Sequence, residues 1–403
     1  MQRVKTIATK QLEIVGIASV TEGQYQDMRH NRLIVALHLA GAPMRTSQPN
    51  PRVGCVLTNF SGVILGQGHT QRAGGPHAEV MALRDAESKG HSVVGATAYV
   101  TLEPCSHHGR TGPCCDALIA AGIKKVVASI ADPNPLVSGQ GFSRLRAAGV
   151  EVEVLPTDDP LTIASRELNI GFFSRMVRKT PWVRMKVAAS LDGKTALLNG
   201  VSQWITSPEA RADGHAWRAR ACAILTGIGT VLQDTPRLDV RLVDTPRQPH
   251  VVVVDSHLQT PTNTPLFIAG RAVFIYAATQ NDLKKLALEA AGATVVYLPG
   301  RHADGSPTGK VDLAAMLRDL GKREINELHV EAGHKLNGSL IREALVDEFL
   351  VYLAPKFIGQ GSGMADFGPL TDLAGALPLE FKSTAMVGPD LRIVARVDGR
   401  DRF

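Results

Sequence analysis

Strand-like and helix-like stretches alternate from Arg29 to about Leu155, and few folds are open to a chain patterned in this way. The amphipathic run Asn31–Leu39 precedes two apolar stretches, PRVGCVL and GVILGQGH. Then come the helical pattern HAEVMALRDA, the stretch ATAYVTL, the helical CCDALIAAG, the stretch KKVVASIA, a helical segment around FSRLRAAG and the stretch VEVEVL. Apolar runs bounded by turn residues and separated by amphipathic helices predict an α/β layer with a largely parallel sheet.

A length of 403 residues exceeds what one hydrophobic core usually organises. The polar, amphipathic segment DDPLTIASRELNIGFFSRMVRK leads to Thr180-Pro181, and a new strand begins at Trp182. We therefore expect a first domain over 27–156, a linker over 157–179 and a second domain over 180–403. The second half supplies the strands WVRMKVAAS, HVVVVDS, AVFIYAA, TVVYL, INELHVEAG, EFLVYLAP and LRIVARV, with helices between several of them. It is also α/β, and no repeat relates it to the first half.

Composition narrows the function classes. With 44% hydrophobic and 20% charged residues and no apolar run approaching a membrane span, the chain reads as a globular protein without a membrane partner. The net charge of +6 suits nucleic acid or small phosphorylated ligands equally, and no polybasic block is present. Five cysteines, an odd number in a long chain, argue against a disulfide framework and for a reducing, cytoplasmic setting. The opening MQRVKTIATKQLEIVGIASV has a basic start and a short apolar stretch, but Glu13 interrupts it and no convincing cleavage site follows. We read it as a frayed extension and not a targeting segment.

His77 and Glu79 fall in the first turn of a predicted helix, after Gly74-Gly75-Pro76. Cys105 follows the strand ATAYVTLE, and Cys114 opens the next helix after the loop SHHGRTGP. One His and two Cys make a three-ligand zinc set that leaves a position for water, and helix N-termini favour thiolates. A lone His-x-Glu at a helix start is ordinarily a cap or a surface feature, and a lone Cys a small core residue. Only a metal site explains all four together. His-x-Glu with Pro-Cys and a second Cys is the signature of the zinc deaminases, in which the glutamate moves protons and does not bind metal. Glu79 is then expected to take the proton of a zinc-activated water attacking the amino-bearing carbon, and to deliver protons to the ring and the departing ammonia. Cys55, Cys115 and Cys222 lack this context and read as structural; His108 reads as a solvated loop residue.

Eight residues separate Cys105 from Cys114, where nucleic-acid and nucleoside deaminases usually have two. The run LEPCSHHGRTGPC, with NPRVGCVL before it and DPNPLVSGQG after it, resembles the deaminase domain of the bifunctional riboflavin-biosynthesis deaminase-reductase family. The resemblance covers most of Asn31 to Gly149. It implies a cytidine-deaminase-like three-layer fold, with Asn50, His69, His107, Arg110 and Asn134 as contacts to the pyrimidine edges and ribose phosphate of the substrate. Gly112-Pro113 stands where the family usually has Pro-Pro.

The segments MKVAASLDGKTAL, GVSQWITSPEAR and ILTGIGTVLQDTPRLDVR resemble the reductase domain of the same family, an α/β fold related to dihydrofolate reductase. That resemblance implies an NADPH pocket lined by Ala188, Trp204, Thr230, Asp234, Ser256 and the loop Gly333, His334, Lys335, Leu336, Asn337, Gly338 and Ser339. Substrate positions follow by the same route: Ser202, Arg218, Leu238, Arg241 and Glu331, with Lys186 a further candidate near the ribose. The arginines suit a 5-phosphate by bidentate geometry. Thr235 stands where the family usually has Asn, and Asp239 where it has Thr, placing a carboxylate beside Arg241. Taken alone, Gly227-Ile228-Gly229 suggests a dinucleotide loop, but the third glycine would fall at Leu232 and no clean strand-loop-helix unit follows, so we set that reading aside.

The resemblance implies a two-step enzyme: a zinc-dependent deamination of a diaminopyrimidinone ribosylamine phosphate, then NADPH-dependent reduction of its ribosyl group to ribityl. It also implies a homo-oligomer, with a small phosphorylated pyrimidine as the partner and no nucleic acid. A nucleic-acid or free-base deaminase with an accessory domain fits the charge, but the long inter-cysteine loop and the lack of aromatic-basic interleaving count against it. A zinc-stabilised binding module would have no use for Glu79.

Overall fold

In the computed structural model, which describes residues 28–107, 112–135 and 137–403, the chain divides into two units: residues up to Arg178 together with Phe403, and Lys179–Arg402. The N-terminal extension lies outside the described residues. Among the described residues no helix is long and apolar enough to cross a membrane.

The first unit runs α1 (Met28–Gly41), β1 (Gly54–Thr58), β2 (Ile64–His69), α2 (Ala78–Ser88), β3 (Thr97–Val100), α3 (Cys114–Ala120), β4 (Lys125–Ala128), α4 (Gln140–Ala147), β5 (Glu151–Val154), α5 (Pro160–Leu168) and α6 (Ile170–Arg178). Its strands lie in the order β2-β1-β3-β4-β5. The last three are parallel, but β1 runs antiparallel to both of its neighbours, so the sheet is more mixed than the alternation predicts. The cause is the short β1–β2 connection, a turn in which Asn59 accepts from the backbone of Val63; a connection that short can join only antiparallel strands.

Successive strand residues face opposite layers. Cys55, Leu57, Ala98, Val100, Val126 and Ala128 pack with residues of α2, α3 and α4. Val56, Tyr99 and Val127 pack with Leu33, Ala36 and Leu37 of α1 and Leu161 and Leu168 of α5. The helix α2 lies unusually close to β2: a Cβ on Gly68 would stand 2.5 Å from the backbone nitrogen of Ala82 and 2.6 Å from the carbonyl of Ala78.

Residues 157–179 are not a linker. Asp159 caps α5 by accepting from Leu161, Leu161 and Leu168 are buried in one core layer, and Phe173 of α6 is buried in the other. Asn169, between the two helices, accepts from the backbone of Arg52 at 2.7 Å and donates to its carbonyl at 2.9 Å. The amphipathic pattern was legible; the burial of its apolar side was not.

The second unit is built on a nine-stranded sheet in the order β11-β10-β9-β8-β14-β6-β15-β18-β17. These strands are β6 (Trp182–Ser190), β8 (Ala223–Gly227), β9 (His250–Val254), β10 (Val273–Ala277), β11 (Ala293–Tyr297), β14 (Glu327–Val330), β15 (Glu348–Ala354), β17 (Leu379–Val387) and β18 (Asp390–Val397). The seven from β11 to β15 are parallel, and β18 and β17 close one edge antiparallel. Two small ribbons, β7 (Lys194–Leu197) with β16 (Gly361–Gly363) and β12 (Pro299–Arg301) with β13 (Pro307–Val311), together with β8 and β17, were absent from the predicted strands. β8 passes directly into α8 (Ile228–Asp234) at Gly227, so a strand–helix unit does exist at the glycine pair, though Leu232 occupies the third glycine position.

The helices of this unit include α7 (Pro208–Arg220), α10 (Leu313–Lys322) and α11 (His334–Arg342). One face of the sheet is apolar, with Met185, Leu225, Leu328 and Val330 against Met316, Leu317 and Leu340. Beneath α7 the centre of the other face is charged. Arg184 pairs with Glu348 at 2.5 Å and Glu327 at 3.1 Å, Arg220 with Glu327 at 2.7 Å, and Arg396 with Glu348 at 2.9 Å.

Candidate active sites

In the first unit, two helix N-termini and the end of a strand meet. His77 is the N-cap of α2, in extended conformation, and Glu79 is in its first turn. Cys114 is the first residue of α3, and Cys105 lies beyond β3. His77 Nδ1 stands 3.5 Å from Cys105 Sγ and 3.4 Å from Cys114 Sγ, and the three ligand atoms lie within 4.8 Å of one another. With Zn–S of about 2.3 Å and Zn–N of about 2.0 Å, a tetrahedral site has an N···S edge of about 3.5 Å. The donor set therefore fits zinc in both chemistry and spacing.

The electrostatics agree. Hydrogen bonding from the Cys114 thiol, with a contribution from His77, holds Cys105 down to about 4 against its burial; the Cys114 thiol is correspondingly pushed up, by its hydrogen bond to Cys105 and by burial. The backbone nitrogen of Cys114 also donates to Cys105 Sγ at 3.3 Å. Glu79 is 3% exposed, and burial, with the Cys105 thiolate adding, pushes its carboxyl up to about 7. A carboxyl there can hold or release a proton near neutrality.

These groups open on a cavity of about 220 Å³ whose walls include Asn50, His77, Glu79, Glu103, Cys105, His107, Asp132 and Asn134. Of the other sequence-predicted contacts, Arg110 lies outside the described residues, and His69 is not on the wall.

The wall also carries residues that the sequence reading passed over. Phe172, Arg175 and Met176 come from α6, the segment expected to be a linker. Glu103, 5% exposed, accepts four backbone N–H groups: Gly141 at 2.9 Å and Phe142 at 3.2 Å on one oxygen, Gly139 at 3.0 Å and Asp132 at 3.1 Å on the other. A side chain on Gly141 would stand 2.1 Å from the Pro104 carbonyl. Glu103 thus fixes the loop that brings Asp132 and Asn134 to the cavity. Burial is the main cause lifting Asp132 to about 6.

The second unit holds two cavities with shared walls. One of about 520 Å³ is lined by Ala188, Ser202, Trp204, Thr230, Asp234, Gly333, His334 and Asn337, among others. One of about 310 Å³ is lined by Arg218, Arg241, His215 and Tyr352, among others; Lys186, Trp204, Thr206, Arg211 and Glu331 belong to both. Gly333–Ser339 is not a loop: Gly333 is the N-cap of α11 and the helix begins at His334. Its free N–H groups suit an anionic group as a glycine loop would. Asn337, 2% exposed, has an Oδ1 without a hydrogen-bond partner, a buried acceptor on the cavity wall that a cofactor donor would satisfy. The large cavity therefore fits a dinucleotide.

Six predicted residues lie off these walls. Ser256 accepts through its carbonyl from Ala278 and Thr279, the half-buried Leu336 packs against the apolar core, and Gly338 lets α11 approach the carbonyl of Asp366. Lys335 and Ser339 are joined along the helix by a hydrogen bond. Leu238 is buried in the core with a left-handed φ of 46°.

Arg218 is bidentate to Glu331 through Nε and Nη2, the latter at 2.8 Å, which holds the Glu331 carboxyl well below its ordinary range despite burial. Burial and the nearby Arg218 lower Lys186, whereas Glu331 raises it. Asp239 pairs with Arg241 at 2.5 Å and Arg237 at 2.9 Å; it is 3% exposed and not on the cavity wall.

Two family models match the chain, the cytidine and deoxycytidylate deaminase zinc-binding region over residues 28–130 and the RibD C-terminal domain over residues 181–393. The riboflavin biosynthesis protein RibD of Escherichia coli is 45% identical over 370 residues, covering 88% of this chain and 96% of that one. The RibD of Aquifex aeolicus is 39% identical, covering 91% and 98%. Among solved structures, Acinetobacter baumannii RibD aligns with a TM-score of 0.81 at 34% identity, over 92% of this chain and 99% of that one. A Thermotoga maritima diaminohydroxyphosphoribosylaminopyrimidine deaminase/5-amino-6-(5-phosphoribosylamino)uracil reductase aligns with a TM-score of 0.77 at 30% identity, over the same shares.

Proposed function

The chain belongs to the RibD family of bifunctional riboflavin-biosynthesis enzymes, a deaminase in its first unit and a reductase in its second, and on that premise we propose its substrates and the residues that handle them. The first unit converts 2,5-diamino-6-(5-phosphoribosylamino)pyrimidin-4(3H)-one to 5-amino-6-(5-phosphoribosylamino)uracil. The second reduces the ribosyl group of that product to ribityl. The observation that carries this reading is the pairing of a His-Cys-Cys centre beside a buried Glu79 with a separate cation-lined cavity that shares walls with a dinucleotide-sized one.

In the first unit His77, Cys105 and Cys114 would hold zinc, and the ion would supply a water molecule made nucleophilic at neutral pH. Glu79, whose carboxyl is lifted to about 7, would accept a proton from the attacking water and hand protons to the pyrimidine ring and the departing ammonia. Asn50, His107 and Asn134 on the cavity wall orient the ring.

In the second unit Ala188, Trp204, Thr230, Asp234 and the start of α11, which line the larger cavity, would hold NADPH, which would supply hydride. Arg218 and Arg241 bind the ribose phosphate, with Glu331 holding Arg218 in place. Lys186 lines both cavities, a position that suits it to contact the ribose. Positioning carries most of this step.

We assign the enzyme to the cytoplasm, which suits five cysteines that form no disulfide with one another, and to a homo-oligomer; the edge strand β17 exposes Leu379, Phe381 and Met386, which suits contact with a second copy. Light scattering gives the mass directly. The substrate assignment is tested by supplying the diaminopyrimidinone nucleotide and following ammonia release and NADPH oxidation separately. Release from single-stranded DNA or tRNA, with none from the nucleotide, would support a nucleic-acid deaminase instead.

A further inference from the structure

We infer that His215 is a neutral N–H donor to the substrate phosphate, completing a three-member anion site with Arg218 and Arg241. The inference rests on the reading that the smaller cavity of the second unit receives the ribose phosphate.

His215 lies on α7 and is 4% exposed, on the wall of that cavity. Its Nδ1 accepts the backbone N–H of Arg241 at 3.2 Å. A backbone N–H can only donate, so Nδ1 carries no proton and the proton of the neutral ring is on Nε2. Nε2 in turn stands 3.5 Å from Arg218 Nη1, and a guanidinium also can only donate. Arg218 Nη1 gives one N–H to the Asp239 carbonyl at 3.0 Å; its other N–H and the Nε2 proton of His215 are both donors, which do not bond each other and are satisfied by a shared acceptor placed against both.

The surroundings say what that acceptor is. Four cationic side chains, Lys186, Arg211, Arg218 and Arg241, line the cavity against one carboxylate on its wall, Glu331, which Arg218 already occupies on both oxygens; Asp239, off the wall, pairs with Arg241, so the wall still carries more positive than negative charge. A second proton on the imidazole is opposed by burial and then by Arg218 and Arg241, which together push its pKa down to about 4. His215 therefore stays a neutral donor beside the arginines, and its bond to the Arg241 backbone ties one cation of the site to the same helix that carries the other. An anionic oxygen between Nε2 and Nη1 satisfies both.

The test uses full-length enzyme and follows NADPH oxidation with the phosphorylated uracil substrate and with its dephosphorylated counterpart. For His215→Leu the KM for the phosphorylated substrate rises by roughly tenfold or more, the size of a lost bond to a charged group. The KM for the dephosphorylated one and both kcat values stay within about twofold, as expected for groups that touch only the phosphate. His215→Gln, whose amide can accept from Arg241 and donate to phosphate, restores most of the loss. Equal damage to both substrates without rescue by Gln would make His215 a structural bracket and overturn the inference. If the Leu variant does not fold, His215→Glu keeps the acceptor and removes the donor; an unchanged phosphate preference there overturns the inference too. Arg241→Met separates the premise from the inference. If it leaves the preference intact, the phosphate is not in this cavity and both fail. If it erases the preference while His215→Leu keeps it, only the role of His215 fails.

Discussion

Glu79 and Glu103 lie on one cavity wall, both buried, and their surroundings give them different work. Glu79 is in the first turn of α2, where burial leaves its carboxyl near neutrality and able to move protons. Glu103 is surrounded by backbone donors and anchors a loop. Glu103→Gln replaces one acceptor oxygen by an amide that meets N–H groups, a loss of about 1–3 kcal/mol in a buried site. We expect a severalfold rise in the KM for deamination with zinc content unchanged, read from steady-state kinetics and metal analysis; loss of zinc would show that Glu103 supports the ligands and not the loop. His77, Cys105, Cys114 and Glu79 were legible because their chemistry is local to two short motifs. Glu103 was not, although it stands two residues before Cys105: its partners, Asp132 through Phe142, are brought to it only by the fold.

At the scale of elements, the metal site depends on how closely α2 seats on β2. Gly68→Ala places a methyl about 2.5 Å from the α2 backbone, and the helix that begins at His77 must move. The variant is expected to lose about 1–3 kcal/mol of stability, the usual penalty of overpacking, and zinc affinity with it. Thermal unfolding and metal titration check both, and a zinc affinity like that of the parent would break the link between helix seating and ligand placement. Hydrophobic periodicity locates the first four helices and most strands of the two sheets, though not β8 or the nine-residue β17. It fails where a segment's partner decides its state: the amphipathic pattern of α5 and α6 reads equally as a linker, Gly333–Ser339 reads as a loop although Gly333 caps a helix, and β7 and β16 are too short to be strands without each other. The mixed sheet of the first unit follows from one short turn that an alternation pattern does not weigh.

For the molecule as a whole, the second sheet carries a buried charge network. Glu348, between Arg184 and Arg396, is held at about 2 by those arginines against its burial. Its folded value lies below the unfolded one, so its contribution is fully present above the ordinary carboxylate range and is lost as pH falls toward 2. Glu348→Gln leaves two buried guanidiniums short of a charge, a loss of about 3–5 kcal/mol at neutral pH, and should flatten the fall in melting temperature on acidification. Calorimetry against pH decides it; an unchanged acid limb would place the acid sensitivity elsewhere. The central claim is that two chemistries occupy two separate sites in one chain, and Glu79→Gln tests it most directly. The zinc-loaded variant should lose ammonia release from the diaminopyrimidinone nucleotide by at least about a hundredfold, the scale of a missing general acid-base. NADPH-dependent reduction of supplied 5-amino-6-(5-phosphoribosylamino)uracil should proceed as in the parent. Loss of both activities in a folded, zinc-loaded protein, or survival of deamination, would contradict it.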